Sequence, residues 1–136
     1  MSTPLVDVIR LGPATKIRLT TLKRRTGIEN WNVLCRWAFS LSIADPEPVT
    51  HRYDEHGNAV EMTWKTFSGE QDWLYSALLQ QRAEIDKDVY ESGSLGSLLR
   101  CHIARGIGRL VAVRVTDSIE SFIEKGSPAK GGDMPP

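Results

Sequence analysis

The chain has 136 residues, with 17 basic and 17 acidic side chains and no net formal charge. That length supports one hydrophobic core and excludes two. The neutral total excludes a uniformly basic surface, yet the charges are segregated along the chain. Residues 1–44 hold seven basic against two acidic side chains, residues 45–94 four against eleven, and residues 95–136 six against four. A local basic patch attracts phosphate whatever lies beyond the screening length, which is about 8 Å at physiological salt.

Val6, Val8 and Arg10 alternate with Asp7, Ile9 and Leu11 before Gly12-Pro13, so residues 5–11 read as a short strand. Pro13 suits the first turn of a helix running to Thr26, with Gly27 as its left-handed cap. A second helix starts at Glu29 or Asn30 and runs to Ala44, where Asp45-Pro46-Glu47-Pro48 stops it. Strand, helix, turn, helix is the order of a ribbon-helix-helix module, residues 5–44, whose lone strand is expected to pair with its copy in a second chain.

A polar loop follows, and residues 59–66 alternate as a second strand. Ser68-Gly69-Glu70-Gln71 has capping-box spacing and predicts a helix to about Val89. After Ser92-Gly93-Ser94 a further helix runs from Leu95 to about Val113, and a last one from Thr116 or Asp117 to Lys125. Residues 127–136 lack apolar content and are expected to be disordered. The fold class is therefore mainly α: one domain over residues 1–126, in which the 5–44 module is packed by a strand and helices from 59–125.

Placed at 100° per residue, Leu19 and Leu22 share one face of the first helix with Thr15 and Thr26. Lys16 and Lys23 flank that face on one side, Arg18 and Arg25 on the other, and Arg24 and Ile17 point away. A charge run is ordinarily a solvated face. Five cations within ten residues, with no acid between Asp7 and Glu29, make phosphate binding equally plausible.

The second helix carries a main stripe of Val33, Leu34, Trp37, Ala38 and Leu41, with Trp31, Cys35, Phe39 and Ile43 filling the remainder. A helix apolar on both faces is buried on both. The second face must meet either the C-terminal helices or another subunit, and together with the lone strand this makes Trp31, Cys35, Phe39 and Ile43 the expected oligomer interface. In the helix from Leu95, Arg100, Arg105 and Arg109 lie outside or beside the stripe Leu99, Ile103, Ile107 and Leu110, forming a second phosphate-capable strip. Gly106 and Gly108 mark either a kink or a close helix crossing.

Cys35 and Cys101 sit in apolar periodic segments, which suits buried thiols in a reducing compartment. The start of the chain has no export pattern and no apolar run reaches membrane-spanning length, so the expectation is a cytoplasmic protein without membrane contact. His51, Asp54, Glu55 and His56 share one loop, but their spacing fits no closed zinc pattern. Glycine-rich phosphate loops, nucleophile elbows and Cys-x-x-Cys pairs are absent from the sequence. The expectation is no metal, no cofactor and no catalysis.

Several runs resemble the DndE family. They are Ile9-Arg10-Leu11, Leu22-Lys23-Arg24-Arg25-Thr26-Gly27-Ile28, Asn30-Trp31-Asn32-Val33-Leu34-Cys35-Arg36-Trp37-Ala38-Phe39 and Glu61-Met62-Thr63-Trp64-Lys65-Thr66-Phe67-Ser68-Gly69-Glu70. Arg100-x-His102-Ile103-x-Arg105-Gly106-Ile107 adds a later one. The resemblance covers residues 9–125. It implies a helical homo-oligomer, a tetramer, acting in DNA phosphorothioation, where sulfur replaces a non-bridging phosphate oxygen. It further implies binding of double-stranded DNA, nicked duplex in preference, beside the cysteine desulfurase, sulfurtransferase and ATPase subunits of that system. The basic residues it carries over are Lys16, Arg18, Lys23, Arg24 and Arg25.

One departure from the ribbon-helix-helix pattern bears on specificity. Val6 and Val8 would stand beside Arg10 where base-reading side chains usually sit, and valine offers no donor or acceptor to a base edge. Such a module would hold backbone and shape rather than sequence. The competing readings are an enzyme that nicks DNA and a scaffold whose basic strips dock on acidic partners.

Overall fold

A computed structural model of the chain describes residues 6–50, 53, 57–87 and 94–113. The elements in order are strand β1 (Val8–Leu11), helices α1 (Pro13–Thr26) and α2 (Trp31–Ala44), strand β2 (Val60–Thr63), and helices α3 (Trp64–Ser68), α4 (Asp72–Asp86) and α5 (Leu95–Ala112). A 3-10 turn, Gly69–Gln71, joins α3 to α4. The fold is mainly helical, as the sequence predicts. The expected helix from Thr116 and the tail at 127–136 lie outside the described residues.

Local chemistry sets the ends of α1. Pro13 occupies the first turn, and the Gly27 N–H donates to the Lys23 carbonyl at 2.9 Å with Gly27 at φ 77°. The capping box at Ser68 does not form. Thr63 caps instead, its Oγ1 accepting from the Thr66 N–H at 3.1 Å, while Ser68 is itself helical and Gly69 turns the chain at φ 62°. The expected strand over 59–66 thereby ends at Thr63, α3 takes its last positions, and the helix expected from Ser68 begins as α4 at Asp72.

The strand pairing corrects the ribbon expectation. β1 runs antiparallel to β2 of the same chain, with Ile9 opposite Met62, Arg10 opposite Glu61 and Leu11 opposite Val60. Ile9, Leu11 and Val60 turn inward, and Arg10 and Glu61 form a cross-strand ion pair at 3.2 Å on the outer side. The alternation of the two segments is in register, so the edge that needed a partner is filled internally.

Helix α5 is the centre of the molecule, packing on α1, α2, α4 and β1. Every residue from Cys101 to Ile107 is buried, so this helix has no solvent face over two turns. Its crossing with α2 is close at Gly106, where a Cβ would overlap the Ala38 carbonyl. That decides for a crossing at this glycine. Phe39 meets Phe67 edge-on at 5.8 Å and Phe67 meets Tyr75 at 5.2 Å, which ties α3 and α4 to α2.

Candidate nucleic-acid interface

The face of α1 away from the core is basic. Thr15, Leu19 and Leu22 are buried against the domain, as their spacing predicts, and Lys16, Arg18, Lys23 and Arg24 are exposed. Lys16, Arg18 and Arg24 form no ion pair among the described residues. Lys23 faces Glu29 at 3.6 Å, both well exposed, a contact worth little in water. Arg25 is half-buried, and its Nη1 donates to the Val111 carbonyl at 3.1 Å near the end of α5. Three of the cations occupy the last turn of α1, where the helix dipole also favours them. Ile17 stands 68% exposed among them, on the outward side.

The second strip does not survive folding. Arg105 is 2% exposed: its Nε donates to Ser42 Oγ at 2.9 Å, its Nη2 to the Ser42 carbonyl at 2.8 Å, and its Nη1 to the Glu47 carbonyl at 2.8 Å. This corrects its placement on a phosphate-facing surface, because a guanidinium with all three nitrogens engaged inside the core has nothing to offer a ligand. Burial draws its pKa below the ordinary arginine value, with the positive charge of Arg109 adding to the effect. Arg109 is exposed but ion-paired with Asp45, and Arg100 is half-buried. Arg10 is already paired with Glu61. The structure therefore keeps the α1 cations together outside and disperses the α5 arginines.

Around Arg105 lies a buried polar chain. Arg82 Nη2 donates to Asp86 Oδ1 at 2.8 Å, His102 Nε2 lies 2.9 Å from Asp86 Oδ2, and His102 Nδ1 lies 2.8 Å from Ser42 Oγ. Ser42 Oγ accepts from Arg105 Nε, so its one hydrogen goes to His102 Nδ1. The imidazole proton then sits on Nε2 and is donated to Asp86. Arg82 also donates to the Ile43 and Asp45 carbonyls at 3.1 and 2.7 Å, closing the C-terminal end of α2 together with Arg105. His102 is neutral in the fold: burial, opposed by Asp86, lowers its pKa to about 4. Asp86, His102 and Ser42 follow the order of a hydrolytic triad, but Ser42 is fully buried and its hydroxyl is committed on both sides. This trio holds helices together and meets no substrate.

Of the expected oligomer residues, Cys35 and Phe39 are fully buried within one chain, and Trp31 and Ile43 are half-buried against the same core. The correction follows from the rotation of α2. Its inward side is Leu34, Cys35, Ala38, Phe39 and Ser42, while Trp37, assigned to the inner stripe, is 36% exposed. Trp73 and Ile85 of α4 are more exposed still, and Leu74 is as exposed as Trp37.

The family model described as DNA sulphur modification protein DndE matches residues 8–118. The chain belongs to the DndE family. Membership places it in DNA sulfur modification, as the resemblance of its motifs implied. No curated protein matches the chain.

Two features of this DndE-family fold escaped the sequence reading. The first is the buried polar chain, for which the spacings Arg82 to Asp86 and His102 to Arg105, each putting two polar groups on one helical face, are the available signal. The second feature is a cleft of about 390 Å³ where the α1–α2 turn meets β2 and α3, with Lys23, Asn30, Trp31 and Met62 in its wall. Nothing local in the sequence brings these segments together. No described helix is long and apolar enough to cross a membrane, and the His51–His56 pair falls outside the described residues.

Proposed function

We propose that this chain is the non-catalytic DNA-binding subunit of the sulfur-modification machinery, gripping the backbone of nicked duplex and presenting it to the sulfur-inserting subunits. The observation that carries this reading is the outward face of α1, where Lys16, Arg18 and Arg24 stand exposed without a carboxylate partner among the described residues. Such a surface attracts phosphate and reads no base sequence. Self-association into a homo-oligomer, a tetramer, belongs to the same proposal and would set several α1 faces on one duplex. Exposed apolar side chains on α4, Trp73, Leu74 and Ile85, support it. A cytoplasmic location, where the DNA is, belongs to the same proposal.

The test is a titration of labelled nicked and intact duplex at two salt concentrations, with light scattering on the same samples. Nicked duplex should bind more tightly, and log affinity should fall by about 0.9 per phosphate neutralised for each unit of log salt. Equal, salt-insensitive binding of the two duplexes refutes the reading.

A further inference from the structure

The cleft beside the basic helix has the composition of a nucleotide pocket. Its volume, about 390 Å³, lies at the small end of ligand-site sizes. Val60 and Met62 of β2 supply an apolar wall, and Asn30, Trp31 and Thr66 supply amide, indole and hydroxyl groups. Its two carboxylates each stand near a cation on the exposed side, Glu29 at 3.6 Å from Lys23 and Glu61 at 3.2 Å from Arg10, contacts weak enough in water to leave Lys23 able to meet a phosphate. A flat, uncharged ring with a hydrogen-bonding edge fits such a lining better than an ion does.

Two further observations point to a ligand. Trp31 Nε1 is buried and has no hydrogen-bond partner among the described residues, a donor removed from water without compensation. Trp31 also opens α2, whose cap residue Asn30 makes no side-chain hydrogen bond; the Val33 N–H donates to the Asn30 carbonyl at 3.1 Å, and Lys23 lies beside this end of the helix.

We infer that this cleft receives an unstacked nucleotide at a strand interruption, its base between Trp31 and the Val60–Met62 wall and its phosphate at Lys23 and the start of α2. The inference rests on the DNA-binding reading above and deepens it, since a nick is where a terminal nucleotide leaves the stack at least cost. It gives a physical reason for preferring nicked over intact duplex that a basic surface alone does not supply. Lys23 joins the two, belonging both to the α1 face and to the cleft.

The experiment measures affinity for labelled nicked duplex by fluorescence anisotropy, with the nucleotides flanking the nick either complete or abasic. Wild-type protein should bind the abasic nick about fivefold or more weakly, the lower end of base–aromatic stacking. Thr66→Trp, which fills the cleft from an exposed position, should weaken binding to the complete nick to the abasic level and abolish the difference. Trp31→Phe should lose part of it, and thermal melting of both variants confirms that they are folded. Equal affinity of wild-type protein for the two nicks overturns the cleft and leaves backbone binding standing. Failure to bind either nick overturns both readings.

Discussion

His102 donates from Nε2 to Asp86 at 2.9 Å inside the core, so an imidazole and a carboxylate separated by the α4–α5 connection fix how those helices meet. The arrangement requires a neutral ring, because Nδ1 must accept from Ser42 while Arg82 and Arg105 already supply positive charge. In the unfolded chain His102 titrates near 6.5, and in the fold near 4. Between those values the unfolded state binds a proton that the folded state refuses. Stability therefore declines as pH falls from 6.5, and the loss is complete below about 4. Melting temperature followed from pH 7 to 4 should show this slope. His102→Gln, whose amide can donate to Asp86 and accept from Ser42, should flatten it. An unchanged slope in that variant would show that the acid sensitivity lies elsewhere.

The crossing of α2 and α5 predicts a contrast between neighbouring glycines. A methyl at Gly106 would overlap the Ala38 carbonyl, whereas a methyl at Gly108 meets nothing within 4 Å. Gly106→Ala forces the helices apart and should cost about 1–3 kcal/mol or more. Gly108→Ala should be neutral or stabilise by up to about 1 kcal/mol, through helix propensity. Urea midpoints with unchanged slopes would measure both. Equal effects would mean that the helices do not approach as closely as Ala38 and Gly106 indicate.

What was legible in the sequence was local. Gly27 and Pro13 delimit α1, and the spacing of Thr15, Leu19 and Leu22 gave its buried face, hence also the exposed basic one. What was not legible depended on which segment lies against which. β1 was assigned to another chain because its partner β2 lies some fifty residues away, past a polar loop. The inner face of α2 was misjudged because almost every position is apolar, so periodicity left its rotation undetermined until α5 packed on Ala38 and Phe39. Arg105 reads as a surface residue because charged side chains usually are. A helix enclosed on every side must bury whatever it carries, and here both Arg105 and His102 are paired.

Arg105 and Arg24 should respond oppositely to removal. Arg105→Ala removes one donor each from Ser42 Oγ and the Ser42 and Glu47 carbonyls, which keep only the Asp45 N–H and Arg82, and should cost about 1.5–3 kcal/mol or more, the range for hydrogen bonds to a charged group. Its effect on DNA binding should vanish when affinity is corrected for the folded fraction. Arg24→Ala, on the exposed face of α1, should change stability by no more than about 0.5 kcal/mol. It should weaken duplex binding and lower the salt slope by about 0.9. Denaturant titrations paired with binding at two salt concentrations separate the two. A salt slope unaltered by Arg24→Ala would remove that residue from the interface.

The last prediction concerns sulfur. The sequence has two cysteines, and both thiols are fully buried, Cys35 within α2 and Cys101 within α5. Burial pushes the Cys35 thiol up to about 12, against the weaker opposing pull of Arg36. A thiolate is the form that accepts or passes sulfur, so a thiol held protonated and out of contact with solvent is unsuited to that role. In a pathway that moves sulfur onto DNA, this chain should then contribute binding and not carriage. Iodoacetamide at pH 8 should leave both cysteines unmodified in the folded protein over minutes and label both promptly in denaturant, with mass spectrometry counting the adducts. Labelling of either cysteine within the mixing time of the native protein would contradict the burial and reopen a sulfur-carrying role.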